Sequence, residues 1–138
     1  MSAPWSSKPG VLLRGVPPKP RLVDLLDVAF ASACKDAASI APALVADCFF
    51  CDISQNICQR PWGKSRGTAT TSTNLYSYEY DRTLVGADRF RGLGHVRALN
   101  YSGLSKESLN NLTGESISLP CLDVIFTAAF APLQFSQL

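Results

Sequence analysis

Leu75-Tyr76-Ser77-Tyr78-Glu79-Tyr80-Asp81-Arg82-Thr83-Leu84 is the stretch that decides the fold class. Its tyrosines alternate with Ser77 and Glu79, so one side of an extended chain is aromatic and the other polar. That is the period-two pattern of a half-buried strand. Far upstream the period changes. Leu22, Leu25, Leu26, Ala29, Phe30 and Ala33 recur at three- and four-residue steps and draw one apolar stripe along a helix. Strands near 47–53 and 75–84, with helices at 22–34, 105–112 and 119–130, predict a mixed α+β chain.

The flanks fill in the rest. A second short helix is expected from Ala38 to Ala46, with Pro42 near its start. Gln55 to Thr73 is polar, rich in Thr, Ser and Gly, and reads as loop. Gly86 to Leu93 suits a short helix with Phe90 and Leu93 on one face and Gly94 as its stop. Ser105 is placed as N-cap for a helix carrying Leu109 and Leu112. Ser118 precedes Leu119-Pro120, and proline is tolerated in a first helical turn. The helix that follows, to about Phe130, is apolar on nearly every side and is expected to be buried. Residues 1–20 hold five prolines and read as a flexible arm ahead of a single domain over 21–138.

Composition narrows the function classes. The chain has 138 residues, 46% of them apolar and 17% charged, enough for one core and too apolar for a disordered tail. Its 13 basic and 11 acidic side chains leave a formal charge of +2, too little to argue for nucleic acid by charge alone. Arg60, Lys64 and Arg66 cluster without an intervening acid, as a solvated surface or as phosphate contacts. No apolar run is long enough to span a bilayer and no signal peptide is visible, so no membrane partner is expected. Five cysteines at irregular spacing suit a reducing, intracellular compartment. Cys48-Phe49-Phe50-Cys51 has metal-ligand spacing, yet a zinc site would have to recruit Cys58 and the distant His95. Buried apolar cysteines are the plainer expectation.

Two stretches resemble a known family. Arg82, Leu84, Asp88, Arg91 and Gly94 fall where the penultimate motif of cytosine-C5 DNA methyltransferases has arginine, leucine, glutamate, arginine and glycine. Val85, Asp88 and His95 depart from its usual threonine, glutamate and aromatic. Gly114, Ser116, Ile117 and Pro120 match the final motif, with Glu115 in place of asparagine. The Thr-rich stretch from Gly67 to Thr73, followed by Tyr76-Ser77-Tyr78, looks like the end of that family's target-recognition region. The likeness covers about residues 68–130.

The resemblance implies transfer of a methyl group from S-adenosylmethionine to a flipped-out cytosine, by a cysteine of a Pro-Cys-Gln loop and a glutamate of Glu-Asn-Val. Neither motif is in this sequence. Pro120-Cys121 is followed by Leu122, and its thiol is expected to be buried at the start of the apolar helix. The resemblance therefore implies a C-terminal fragment, a degenerate product or a split subunit, with no catalytic residue and no activity alone. A catalytic partner subunit or a missing N-terminal half would complete it, and DNA would be its substrate, leaving the nucleus open as its compartment. It places Gly114, Glu115 and Ser116 nearest the cofactor, although these also suit simple helix N-terminal capping. It makes Gly94 structural, and Arg82 and Arg91 either structural, steadying the recognition region, or near the DNA. Two other readings stay open: a non-catalytic interaction module built on helix 119–130, and a small zinc-binding protein.

Overall fold

The computed structural model describes residues 3–37, 42–64, 72–95, 100–116 and 118–130. The fold is α+β: five helices and a small antiparallel sheet among the described residues. Helix α1 spans Pro20–Asp36 and buries the predicted stripe of Leu22, Leu25, Leu26, Ala29, Phe30 and Ala33. Pro20 opens it, where a missing N–H costs no hydrogen bond, and Lys35 sits in the last turn beside the negative end of the helix dipole. Helix α2, Pro42–Cys48, follows. It takes up Asp47 and Cys48, so strand β1 is shorter than expected, Phe50–Asp52.

The sheet runs in the order β2-β1-β3-β4, with β2 at Trp62–Gly63, β3 at Leu75–Ser77 and β4 at Arg82–Thr83. Cys51 pairs with Tyr76 on one side and with Trp62 on the other. Two features differ from the expectation. The loop 55–73 contains β2 and a 3-10 turn at Ile57–Gln59, both too short to leave a periodic signal. The stretch 75–84 is a hairpin, not one strand: Tyr76 faces Thr83 and Ser77 faces Arg82. Asp81, at φ +47°, makes the reversal, a left-handed conformation that aspartate tolerates better than bulky residues. Tyr76 and Tyr78 are buried, while Tyr80 at the tip is exposed.

One core unites α1, Val45 of α2, Cys51, Tyr76 and Tyr78. Tyr78 donates from its hydroxyl to the Leu26 carbonyl at 2.8 Å, locking hairpin to helix. The opposite face of the sheet, through Asp52, Leu75 and Ser77, is buried as well.

The segment expected to be a flexible arm is packed down. Trp5 lies 5.0 Å from the Phe30 ring and edge-on to Tyr78 at 5.1 Å. Its indole N–H donates to the Tyr76 hydroxyl at 2.9 Å. Ser6 donates to both Asp27 carboxylate oxygens, through its backbone N–H and its hydroxyl, each at 2.7 Å. Arg14 forms a parallel bridge to Arg82 and so covers the β4 edge. Prolines made the segment look like a linker; one aromatic anchor overrides them.

Helix α3, Gly86–Gly92, and helix α4, Lys106–Glu115, pack together. A Cβ at Gly86 would stand 2.5 Å from the Leu109 Cβ, so glycine lets the two helices touch. Ser105 caps α4 as expected, its hydroxyl accepting from the Ser108 N–H at 3.0 Å. Helix α5 is Leu119–Phe130, the predicted span. Its expected burial is not found: none of its residues is buried among the described residues. Both faces of the small sheet are already occupied, so this body has no surface left for it. No described helix is long and apolar enough to cross a membrane.

Candidate functional site

The residues picked from the sequence fall into three places. Arg82 and Asp88 meet first. Asp88, in the first turn of α3, accepts from Arg82 at 2.7 and 3.1 Å and from the Val85 backbone N–H at 3.1 Å. The two-pronged pair ties β4 to the start of α3, where a carboxylate also suits the helix dipole. Arg91 stands 4.0 Å from the same carboxylate, one helical turn on. Burial raises the Asp88 carboxyl, but the Arg82 hydrogen bonds, the Val85 N–H and the charges of Arg82 and Arg91 outweigh it. The carboxyl therefore sits below its ordinary value of 3.8. Gly94, at φ +86°, turns the chain after α3, and a Cβ there would meet the Pro120 ring at 2.8 Å. The Leu119 N–H donates to the Leu93 carbonyl at 2.9 Å. Arg82 and Arg91 thus hold α3 to β4, and Gly94 brings the chain after α3 against the start of α5.

Gly114, Glu115 and Ser116 lie elsewhere than expected. Gly114 and Glu115 end α4, and Ser116 is its C-cap. The predicted N-terminal capping is corrected here: Glu115 stands at the carbonyl end of a helix, where the dipole repels its charge. Ser116 donates from its hydroxyl to the Leu112 carbonyl at 2.6 Å. Glu115 is exposed and, as a carboxylate, accepts hydrogen bonds without donating any.

Of the basic cluster Arg60, Lys64 and Arg66, the described residues include Arg60 and Lys64. Arg60 is bound to Asp36 at 2.7 Å and leans over the Trp62 ring at 5.8 Å. Lys64 is exposed, and Arg66 lies outside the described residues, as does most of the Thr-rich stretch 67–73.

The cysteine expectations are corrected in part. Cys51 is buried, and burial pushes its thiol up to about 12, with a Tyr78 hydrogen bond opposing and the Asp52 charge adding. Cys58 and Cys121 are exposed and Cys34 is half-buried. Cys121 is open to solvent because the helix that was to bury it stands uncovered. No three His, Cys, Asp or Glu side chains gather as a metal site among the described residues, whose side chains do not include Cys48.

Sequence reasoning missed the keystone of the fold. Asp81 accepts from the Tyr76 hydroxyl at 2.5 Å and from the Leu12 and Leu13 backbone N–H groups at 2.7 and 3.1 Å. A relay therefore runs from the Trp5 indole through Tyr76 to Asp81 and back to the arm. Burial first, and then the bond to Asp81, raises the Tyr76 phenol. The signal available was Asp81 itself, a turn former inside an apparent strand. A polar cleft of about 440 Å³ was also missed, opening between Asp52, Gln55, Gln59 and Thr73. Its carboxylate is spent within the loop: Asp52 Oδ1 accepts from Ser54 and the Asn74 N–H, and Oδ2 from Gln55. The cleft holds the loop's shape.

No family model, curated protein or solved structure matches the chain.

Proposed function

We propose that this chain is a non-catalytic C-terminal segment or subunit of a cytosine-C5 DNA methyltransferase-like protein, whose α5 docks on the body that carries the catalytic groups. The observation that carries the reading is α5. It is apolar almost all round, has no buried residue, and meets Gly94 and Leu93 at its first turn. A helix held rigidly at one end and uncovered elsewhere is arranged to enter another protein surface. The order of the residues that match the family's last two motifs, Arg82 to Pro120, supports the identity of that surface. The catalytic cysteine, the Glu-Asn-Val glutamate and the S-adenosylmethionine site would belong to the other body. Residues 50–84 would stand on the DNA side, with Lys64 free to meet phosphate.

The test is methyl transfer from labelled S-adenosylmethionine to duplex DNA. The chain alone is expected to give none. Adding a catalytic body that bears Pro-Cys-Gln and Glu-Asn-Val is expected to give transfer, lost again in Val124→Glu/Phe126→Glu. If the chain binds such a body through α5 without restoring transfer, the general interaction module is the better reading. If it neither binds nor restores transfer, the proposal fails.

A further inference from the structure

We propose that residues 3–16 are an exchangeable arm, and that two copies of this chain trade arms to form a domain-swapped dimer. The arm packs Val11, Leu13 and Val16 against the core and is fixed there by discrete anchors. Trp5 seats against Phe30 and Tyr78, Ser6 hydrogen-bonds Asp27, and the Leu12 and Leu13 N–H groups reach Asp81. Arg14 completes them, its carbonyl accepting from the Thr83 N–H at 2.9 Å. Both charges have partners on the body. Lys8 and Arg14 are the ionised side chains of residues 3–16; Lys8 stands over the Phe30 ring of the body and Arg14 lies 4.0 Å from Asp81. An arm from a second copy makes every one of these contacts, because donor and acceptor are the same sequence.

The hinge decides between the two forms. In the closed chain Pro17-Pro18-Lys19 is folded into a tight turn, with the Lys19 N–H donating to the Pro17 carbonyl at 2.7 Å. Helix α1 begins at the next residue, Pro20. Pro17 and Pro18 have no N–H to leave unpaired, so straightening the hinge forfeits that single hydrogen bond. It also releases the bend at Pro18 toward the extended conformation that proline favours. A short hinge held in a tight bend invites exchange with a neighbour. The exchange keeps the β4 edge covered and Trp5 buried, so the bodies themselves do not change.

The experiment uses the full chain carrying Ser6→Cys and Asp27→Cys, positions whose side chains stand 2.7 Å apart. Isotopically light and heavy preparations are mixed, unfolded, refolded at high concentration and oxidised, and the linked peptides are mapped by mass spectrometry. A dimer fraction containing mixed-isotope links between positions 6 and 27 is expected. Same-isotope links alone, or monomer throughout, overturn the proposal. The unsubstituted chain gives a second readout by light scattering. A short Gly-Ser insertion between Pro18 and Lys19 is expected to cut its dimer fraction several-fold. A dimer insensitive to that insertion is held by another surface, and the arm is then not exchanged.

Discussion

Trp5→Ala is the substitution that separates a packed arm from a flexible one. The indole is 6% exposed and touches two core rings, Phe30 and Tyr78. Truncating a buried Trp or Phe to alanine costs about 3–5 kcal/mol, because the lost transfer energy is joined by the cavity left behind. The Tyr76 hydroxyl loses a donor but keeps Asp81 as acceptor, so little is added for an unpaired group. The expected loss is therefore about 4 kcal/mol, a large part of the roughly 5–15 kcal/mol that stabilises an ordinary domain. With a urea slope of about 2 kcal/mol/M, the midpoint should fall by about 2 M. The assay is urea unfolding followed by far-ultraviolet circular dichroism at low protein concentration, so that arm exchange does not contribute. Leu12→Ala is the control: it lies in the same arm at 71% exposure and should cost no more than about 0.5 kcal/mol. If Trp5→Ala unfolds within 0.5 kcal/mol of the parent, the aromatic anchor is not part of the core, and the arm reverts to the flexible tail its prolines suggest.

Other expectations follow from the same geometry. Tyr76→Phe should cost about 1–3 kcal/mol, since the Trp5 indole N–H is left buried without an acceptor, and its effect should not add to that of Trp5→Ala in a double-mutant cycle. Asp88 has its folded pKa below the ordinary 3.8, so its stabilising contribution is present above that value and is lost as pH falls below it. Asp88→Asn should flatten that acid limb of a stability-against-pH curve. Cys51 has its folded pKa raised from 9.0 to about 12, so its proton stabilises the fold below pH 9.0 and that contribution fades between the two values. In a native thiol titration Cys58 and Cys121 should react at once and Cys51 only on unfolding. Gly94→Ala combines a left-handed backbone with a 2.8 Å contact to Pro120; it should speed amide exchange at Leu119 while sparing the amides of α1.

The elements legible in the sequence were those whose own pattern repeats. The stripe on α1 spans about three turns, and every position it named is buried. The boundaries of α5 were legible from Ser118, Pro120 and an apolar run interrupted by Asp123. What the sequence hid was set at a distance. Asp81 turns the chain because it collects N–H groups from Leu12 and Leu13, nearly seventy residues earlier, and no local pattern records that. Strand β2 is two residues long and exists because Cys51 pairs with Trp62. The site candidates divide the same way. Arg82 was legible as structural, but its partner Asp88, six residues on across the turn from hairpin to helix, was not. Glu115 was placed at the wrong end of a helix because α4 runs to Glu115 where its apolar pattern stops at Leu112.

The uncovered helix also constrains what its partner must be. Leu119, Val124, Ile125, Phe126 and Phe130 are between 38% and 67% exposed. Full burial of such a side chain is worth about 1.5–3 kcal/mol, so covering what remains of these five recovers roughly 4–8 kcal/mol. Association of two separate proteins costs on the order of 4–15 kcal/mol in lost translational and rotational freedom. Helix α5 by itself therefore comes out close to zero, and a lasting complex needs either covalent continuity with the partner or a second contact. The brace between Gly94 and Pro120 matters for that second contact, because it fixes α5 against α3 and lets the two surfaces be presented together. An isolated peptide of residues 118–130 should then fail to compete for the partner at concentrations where the full chain binds. If the free peptide competes as well as the chain, α5 acts alone and the brace serves stability without recognition.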